Sequence, residues 1–338
     1  MALADVLEGV LVVDLSVTAP GPYCTSLLRR MGARVIKFEP PTGDPARQFP
    51  RTYEALNRGK ESVVVDLALP ADLELVRNAA GRADVLVEGW RPGVAERRGL
   101  GPEALLSANQ RLVYCSISGY GAASPLADRP GHDLNFVAAS GMGSLLARNA
   151  DPVPPGAPLA DLAGGTFGAL SVLAGVIRAR ATGVGGHHDV SLAGALRDWV
   201  DSIGGAETVR SRNPLDDVPH YGIFRTADGH HLSLAVVYET GLWEGLCDAL
   251  GLADVRGLSF PERVARPELR ARIAEVVGAR ERARLEADLS GVNTCWAFVD
   301  PPGLAAVEAF LPQHPEPSPA LGEHTALVRG WLQGAANP

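Results

Sequence analysis

The chain has 338 residues, 46% hydrophobic and 21% charged, with 38 glycines, 26 prolines and a net charge of −8. That length holds one large domain or two unequal ones. The apolar share excludes a disordered chain, the aperiodic glycine excludes collagen, and the negative charge disfavours broad electrostatic binding to nucleic acid. Residues 10–15, Val-Leu-Val-Val-Asp-Leu, form a nearly continuous apolar run, the mark of a strand buried on both faces of a parallel sheet. Residues 16–22 read as a loop, and a helical pattern continues to Met31, where Gly32 stops it. Residues 33–38, 63–67, 84–88 and 112–117 read as further strands, with an amphipathic helix over 72–80. This alternation predicts a doubly wound α/β sheet over about residues 1–125. Residues 119–165 are rich in glycine and proline; helices are expected over 166–181 and 189–199. The polar stretch 201–220 reads as a linker, and 221–237 as a hairpin turning at Ala227-Asp228-Gly229. Helices follow near 240–250 and 267–287, then a proline-rich tail with a short helix at its end. The expected organisation is a large α/β domain (1–200 with 301–338), a linker (201–220) and a smaller α+β domain (221–300).

Lysine occurs only at Lys37 and Lys60, so arginine carries nearly all the positive charge. Its planar fork suits phosphate, although a GC-rich genome gives the same bias. Cys24, Cys115, Cys247 and Cys295 make no C-x-x-C pair, which points to reduced thiols rather than zinc or disulfides. No basic leader is visible, and the longest apolar stretch, about 167–177, is short for a bilayer span, so a cytoplasmic protein without membrane or nucleic-acid partners is expected.

Ligands of open α/β sheets bind at strand-to-loop junctions. Residues 16–22 could offer backbone N–H groups to an anion, but lack G-x-G-x-x-G, and a rigid turn explains them as well. Arg91 and Arg97 flank Trp90 after a strand, a setting for phosphate and adenine, or for a solvated face. Asn57-Arg58-Gly59-Lys60 is a basic turn with the same two readings. Gly131-His132-Asp133-Leu134-Asn135-Phe136 and Asp161, ahead of Gly164-Gly165, supply a histidine and a carboxylate that could work as a two-base proton-transfer pair. A structural histidine and a helix N-cap explain the same residues.

Several of these segments together resemble the class III CoA-transferase and α-methylacyl-CoA racemase superfamily. They are Leu7-Glu8-Gly9, Ala19-Pro20-Gly21-Pro22, residues 32–37, Asn57-Arg58-Gly59-Lys60, Arg91-Pro92-Gly93, Leu100-Gly101-Pro102, Ser118-Gly119-Tyr120-Gly121 and residues 321–325, over nearly the whole chain. The resemblance implies a Rossmann-like large domain, a small domain, an interlocked homodimer and an acyl-CoA thioester substrate, with no cofactor beyond coenzyme A. It also implies that Asn57, Arg58, Arg91 and Arg97 face the CoA nucleotide. Gly131 to Phe136 is close to the racemase motif Gly-His-Asp-Ile-Asn-Tyr, Asp161 matches the racemase aspartate, and Glu239 matches a glutamate that positions the histidine. A glycine run found in some transferases is missing near 233–243. The segment after the second strand is transferase-like: Phe38-Glu39-Pro40-Pro41 replaces the racemase Asp-Arg-Pro, leaving Lys37 or Arg47 for the phosphate. The expectation is an acyl-CoA racemase of the 2-methylacyl type. His132 and Asp161 exchange protons with opposite faces of C2, and an N–H near Asp161 holds the thioester oxyanion. The alternatives are CoA transfer between carboxylic acids through an intermediate on Asp161, and a non-catalytic acyl-CoA-binding protein.

Overall fold

Six short strands line up in parallel in the computed structural model, which describes residues 5–146, 153–204, 214–300 and 316–334. They are β1 (Leu11–Asp14), β2 (Arg34–Glu39), β3 (Glu61–Val64), β4 (Val85–Glu88), β5 (Val113–Ser118) and β6 (Gly186–Ser191). Their order, β3-β2-β1-β4-β5-β6, is that of a doubly wound sheet, with the reversal between β1 and β4. Both faces are covered, which is why the central strands β1, β4 and β5 are largely apolar. Val12, Val35, Val87 and Cys115 point to one side, under α1 (Pro20–Arg30) and α8 (Leu159–Thr182). Val13, Ile36, Leu86 and Tyr114 point to the other, under α3 (Pro70–Arg82), α5 (Pro102–Ala108) and the terminal helix α14 (Thr325–Leu332). Each such side chain contributes about 1.5–3 kcal/mol on burial.

The helices between them are α2 (Pro50–Asn57), the single turns α4 (Val94–Arg97) and α7 (Met142–Leu145), α6 (Asp133–Ser140) and α9 (Leu192–Ser202). Two expected elements move. Residues 189–191 belong to β6 rather than to a helix, because Asp189 and Val190 register on Ser116 and Ile117 of β5. The Ser191 hydroxyl then accepts from Gly194 N and starts α9 one residue later. Helix α8 begins at Leu159, not 166, so Gly164 and Gly165 sit inside it. Their missing side chains allow close packing on neighbours: a Cβ at Gly165 would meet the Pro20 carbonyl oxygen at 2.6 Å and Tyr23 Cδ1 at 2.8 Å. At 24 residues and a mean hydropathy of 1.5 this helix is long and apolar enough to cross a membrane, unlike the shorter stretch read from sequence, but half of its apolar window is buried.

Backbone contacts divide the chain into residues 1–205 with 313–338, and residues 206–312. Part of the expected linker (205–213) and the start of the tail (301–315) lie outside the described residues. The second unit pairs β7 (Tyr221–Arg225), β8 (His231–Ala235) and β9 (Trp296–Phe298) into an antiparallel sheet. Its helices are α10 (Thr240–Leu250), α11 (Phe260–Val264), α12 (Glu268–Gly278) and α13 (Arg282–Ser290). The single helix expected over 267–287 is therefore two. Its core is built on Trp243, Leu232, Ile273 and Leu285, all fully buried.

Candidate active site

The carboxyl ends of the strands carry two clusters of ionisable groups on the first unit. The first lies at β1–β3. Lys60, fully buried, places Nζ 3.2 Å from Asp14 Oδ2, 2.7 Å from Thr25 Oγ1, 2.9 Å from the Pro22 carbonyl and 3.0 Å from Asn57 Oδ1. Lys37, equally buried, reaches the Ser16 carbonyl at 2.7 Å and Asp44 Oδ2 at 2.9 Å. Burial pushes the Asp14 carboxyl up, but Lys37, Lys60 and two hydroxyls outweigh it and bring it down to about 2. Burial lowers the Lys60 ammonium to about 8. Arg47 grips Glu39 with Nε at 2.9 Å and Nη2 at 2.7 Å while its guanidinium lies 4.0 Å over the Tyr53 ring.

This cluster corrects part of the expected CoA contacts. Lys37 and Asn57 have no exposed surface to offer a ligand: Lys37 pairs with the buried Asp44, while Asn57 donates Nδ2 to the Tyr53 carbonyl at 3.0 Å and accepts from Lys60 at Oδ1. Arg47 is held by Glu39, and Arg58 sits at the surface with Nη2 2.7 Å from Glu54. Residues 16–22, open to reading as an anion site or a rigid turn, are also short of donors. Pro20 and Pro22 have no N–H, Ser16 N donates to Asp14, and Thr18 N donates to Asp44 at 2.9 Å.

The second cluster lies past the reversal, at the ends of β4 and β5, around a cleft of about 280 Å³. His132, Asp133, Asp161, Arg91, Arg129 and Tyr120 all line it. His132 is the N-cap of α6: its N–H donates to Asn135 Oδ1 at 3.0 Å, closing the first turn in the manner of a capping box. Phe136 anchors that turn. It is 5% exposed, packs edge-on to Tyr120 with centroids 5.1 Å apart, and approaches Gly131 so closely that a Cβ there would lie 2.8 Å from its ring. Asp161 is in the first turn of α8, whose N-cap is Pro158, so Asp161 is not the cap that a structural role predicted. Burial pushes its carboxyl up to about 7, with the Asp133 charge adding to the shift.

Asp133 is the residue the sequence reading missed. Its Oδ1 accepts from Ala160 N at 2.7 Å and Asp161 N at 3.0 Å, capping α8 from another helix. Those two donors are therefore taken, and the oxyanion donor expected near Asp161 has to come from elsewhere. The N–H groups of Asp133 and Leu134, in the first turn of α6, meet no acceptor among the described residues. A signal was present in the sequence: an acidic residue directly after the candidate histidine.

Arg97 does not line the cleft among the described residues; Arg98 takes the place beside Trp90, its Cζ 5.8 Å from the ring centroid. Trp90 joins the cleft to a second one of about 370 Å³, walled by Val17, Phe38, Pro40, Leu67 and Arg98. Glu239 belongs to the second unit. It is the N-cap of α10 and its Oε2 accepts from Val237 N at 3.0 Å; backbone N–H groups there lower its carboxyl.

The model of CoA-transferase family III matches residues 7–311. Human alpha-methylacyl-CoA racemase is 33% identical over 303 residues, covering 86% of this chain and 76% of its own length. The acetyl-CoA:oxalate CoA-transferase of Acetobacter aceti is 33% identical over 268 residues, 73% of this chain and 67% of its own. A solved CAIB/BAIF family protein from Brucella suis superposes with a TM-score of 0.82 at 26% identity, covering 97% of this chain and 100% of that one.

Proposed function

Because the chain belongs to CoA-transferase family III, we propose that it is an acyl-CoA racemase that moves the α-proton of a 2-methylacyl-CoA thioester between the two faces of C2. The observation that carries this reading is the shared cleft of His132 and Asp161, with the carboxyl pushed up to about 7. In one direction the His132 imidazole removes the proton on C2, and the C–H electrons move into the thioester to give an enolate. The protonated Asp161 then delivers its O–H proton to the opposite face, leaving imidazolium and carboxylate. The reverse direction exchanges the roles. An N–H at the start of α6 would hold the developing oxyanion, an interaction typically worth roughly 2.7–4 kcal/mol. Arg91 and Arg129 supply charge for the CoA phosphates, and the Trp90–Arg98 cleft an adenine-sized apolar wall. The reaction is proton transfer alone and asks for no cofactor beyond coenzyme A in the substrate.

One observation weighs against CoA transfer. On the other side of His132 an open cleft of about 420 Å³ is walled by Leu134, Pro154, Pro155, Ala157 and Pro158. Among its described residues none is an arginine or lysine, which suits an apolar acyl chain better than the diacids named for the transferase relatives.

The test is incubation with one epimer of 2-methylacyl-CoA in D2O, alongside a labelled free acid and hydroxylamine. Deuterium should enter C2 with epimerisation, and His132→Ala should abolish it. Acyl exchange with the free acid, together with a hydroxamate on Asp161, would replace this reading with CoA transfer. Tight CoA binding with neither reaction would favour the binding protein.

A further inference from the structure

The Asp133 side chain has no part in the proton transfer as drawn, yet its carboxylate is hydrogen-bonded to the backbone of one of the two residues that do and adjoins the other in sequence. It follows His132 directly at the start of α6, and its Oδ1 lies 3.0 Å from the backbone nitrogen of Asp161 and 2.7 Å from that of Ala160. One carboxylate at the start of α6 thus reaches the first turn of α8, at Ala160, 27 residues away in sequence. A helix N-terminus attracts negative charge, and two N–H donors converging on one oxygen make a strong, directional clamp. The same residue lines the cleft beside both His132 and Asp161.

We propose that Asp133 is a positioning residue with two effects: its carboxylate clamps the first turn of α8 to the first turn of α6, setting Asp161 against His132, and its negative charge favours the protonated form of Asp161. The clamp fixes geometry because two hydrogen bonds tie the first turn of α8 directly to the residue next to His132. The charge acts because a second carboxylate nearby disfavours ionisation of the first. Other ionisable groups face the same region. Arg91, Arg129, Tyr120 and His132 line the cleft, α1 presents Tyr23 at Gly165, and α9 carries Asp198 and an Arg197 paired with Asp201 at 2.8 Å. Of these neighbours, Asp133 is the one whose charge raises the Asp161 carboxyl. The consequence for the reaction rests on the racemase reading; the clamp and its effect on Asp161 do not.

Asp133→Asn separates the two effects. Its amide oxygen still accepts from Ala160 N and Asp161 N, but the charge is gone. With carboxyl-13C aspartate in the full chain, and Asp161→Asn to assign the resonance, the Asp161 midpoint should fall by about 1 pH unit in Asp133→Asn. The bell-shaped pH dependence of kcat/KM for α-proton exchange should move to lower pH as a whole, because removing a negative charge lowers every apparent value of the coupled pair. KM and the urea midpoint should stay near those of the parent. Asp133→Ala should show the same titration shift and a lower urea midpoint as well, since the clamp is lost. An Asp161 midpoint and a pH profile unchanged in Asp133→Asn overturn the proposal. So does a loss of rate uniform with pH and free of any titration shift, which is a structural role only. If the parent exchanges no α-proton on any acyl-CoA, the racemase reading fails, while the carboxyl titration still decides the role of Asp133.

Discussion

The two halves of the sheet treat charge in opposite ways. At the ends of β1–β3, buried Asp14, Asp44 and Glu39 each face a lysine or arginine, and the result is a network with little surface. At the ends of β4 and β5, past the reversal, Asp161 faces another carboxylate, and the arginines lining the same cleft, Arg91 and Arg129, are exposed. Pairing lowers Asp14 to about 2; burial and a like charge raise Asp161 to about 7. The first arrangement stabilises loops. The second keeps a proton available at neutral pH, as proton-transfer chemistry requires.

Substitutions should separate the two regions by readout. His132→Ala should lower α-proton exchange by roughly 10²–10⁴-fold while thermal unfolding stays near that of the parent; exchange at the parental rate contradicts the role given to this imidazole. Lys60→Met should do the reverse. It leaves Asp14 short of a cation in a dry site and should cost about 3–5 kcal/mol in urea unfolding; a loss below 1 kcal/mol would show that the network is not a stabilising unit. Gly165→Ala drives a methyl into the Pro20 carbonyl, and roughly 1–3 kcal/mol is expected from the same measurement.

The raised Asp161 carboxyl has a sign that can be checked. Its folded value, about 7, exceeds the ordinary 3.8, so its contribution to stability is complete below about pH 4 and is lost as pH rises towards 7. Asp161→Asn should therefore gain on the parent between pH 5 and pH 8, by roughly 1–3 kcal/mol. A gap constant with pH would mean that Asp161 titrates as an ordinary carboxylate. The smallest effect belongs to Arg91→Ala, which should raise KM for acyl-CoA about tenfold with kcat little changed; a fall in kcat alone would move Arg91 from holding CoA to the chemistry.

The parallel sheet was legible because strands buried on both faces must be apolar runs, as at residues 10–15 and 84–88. His132 and Asp161 were legible through their glycine-flanked motifs, and the structure brings both to one cleft. Three things were not. Glycine inside α8 looked like a break, because sequence cannot show that α1 lies against it. The edge strand β6, with exposed His187 and Asp189, has too little apolar character to read as a strand. The resemblance makes Lys37 and Asn57 CoA contacts; only the fold shows that Lys37 pairs with buried Asp44 and that Asn57 accepts from Lys60, itself paired with buried Asp14. Asp133 was passed over for the related reason that its partners are two backbone N–H groups 27 and 28 residues away.

The most direct measurement is a crystal structure of the chain with a 2-methylacyl-CoA bound. The account predicts C2 lying between the His132 imidazole and the Asp161 carboxyl, one on each face, each within about 3–3.5 Å of the carbon. Both groups on one face of C2, or Asp161 in line with the thioester carbonyl carbon instead, would contradict it.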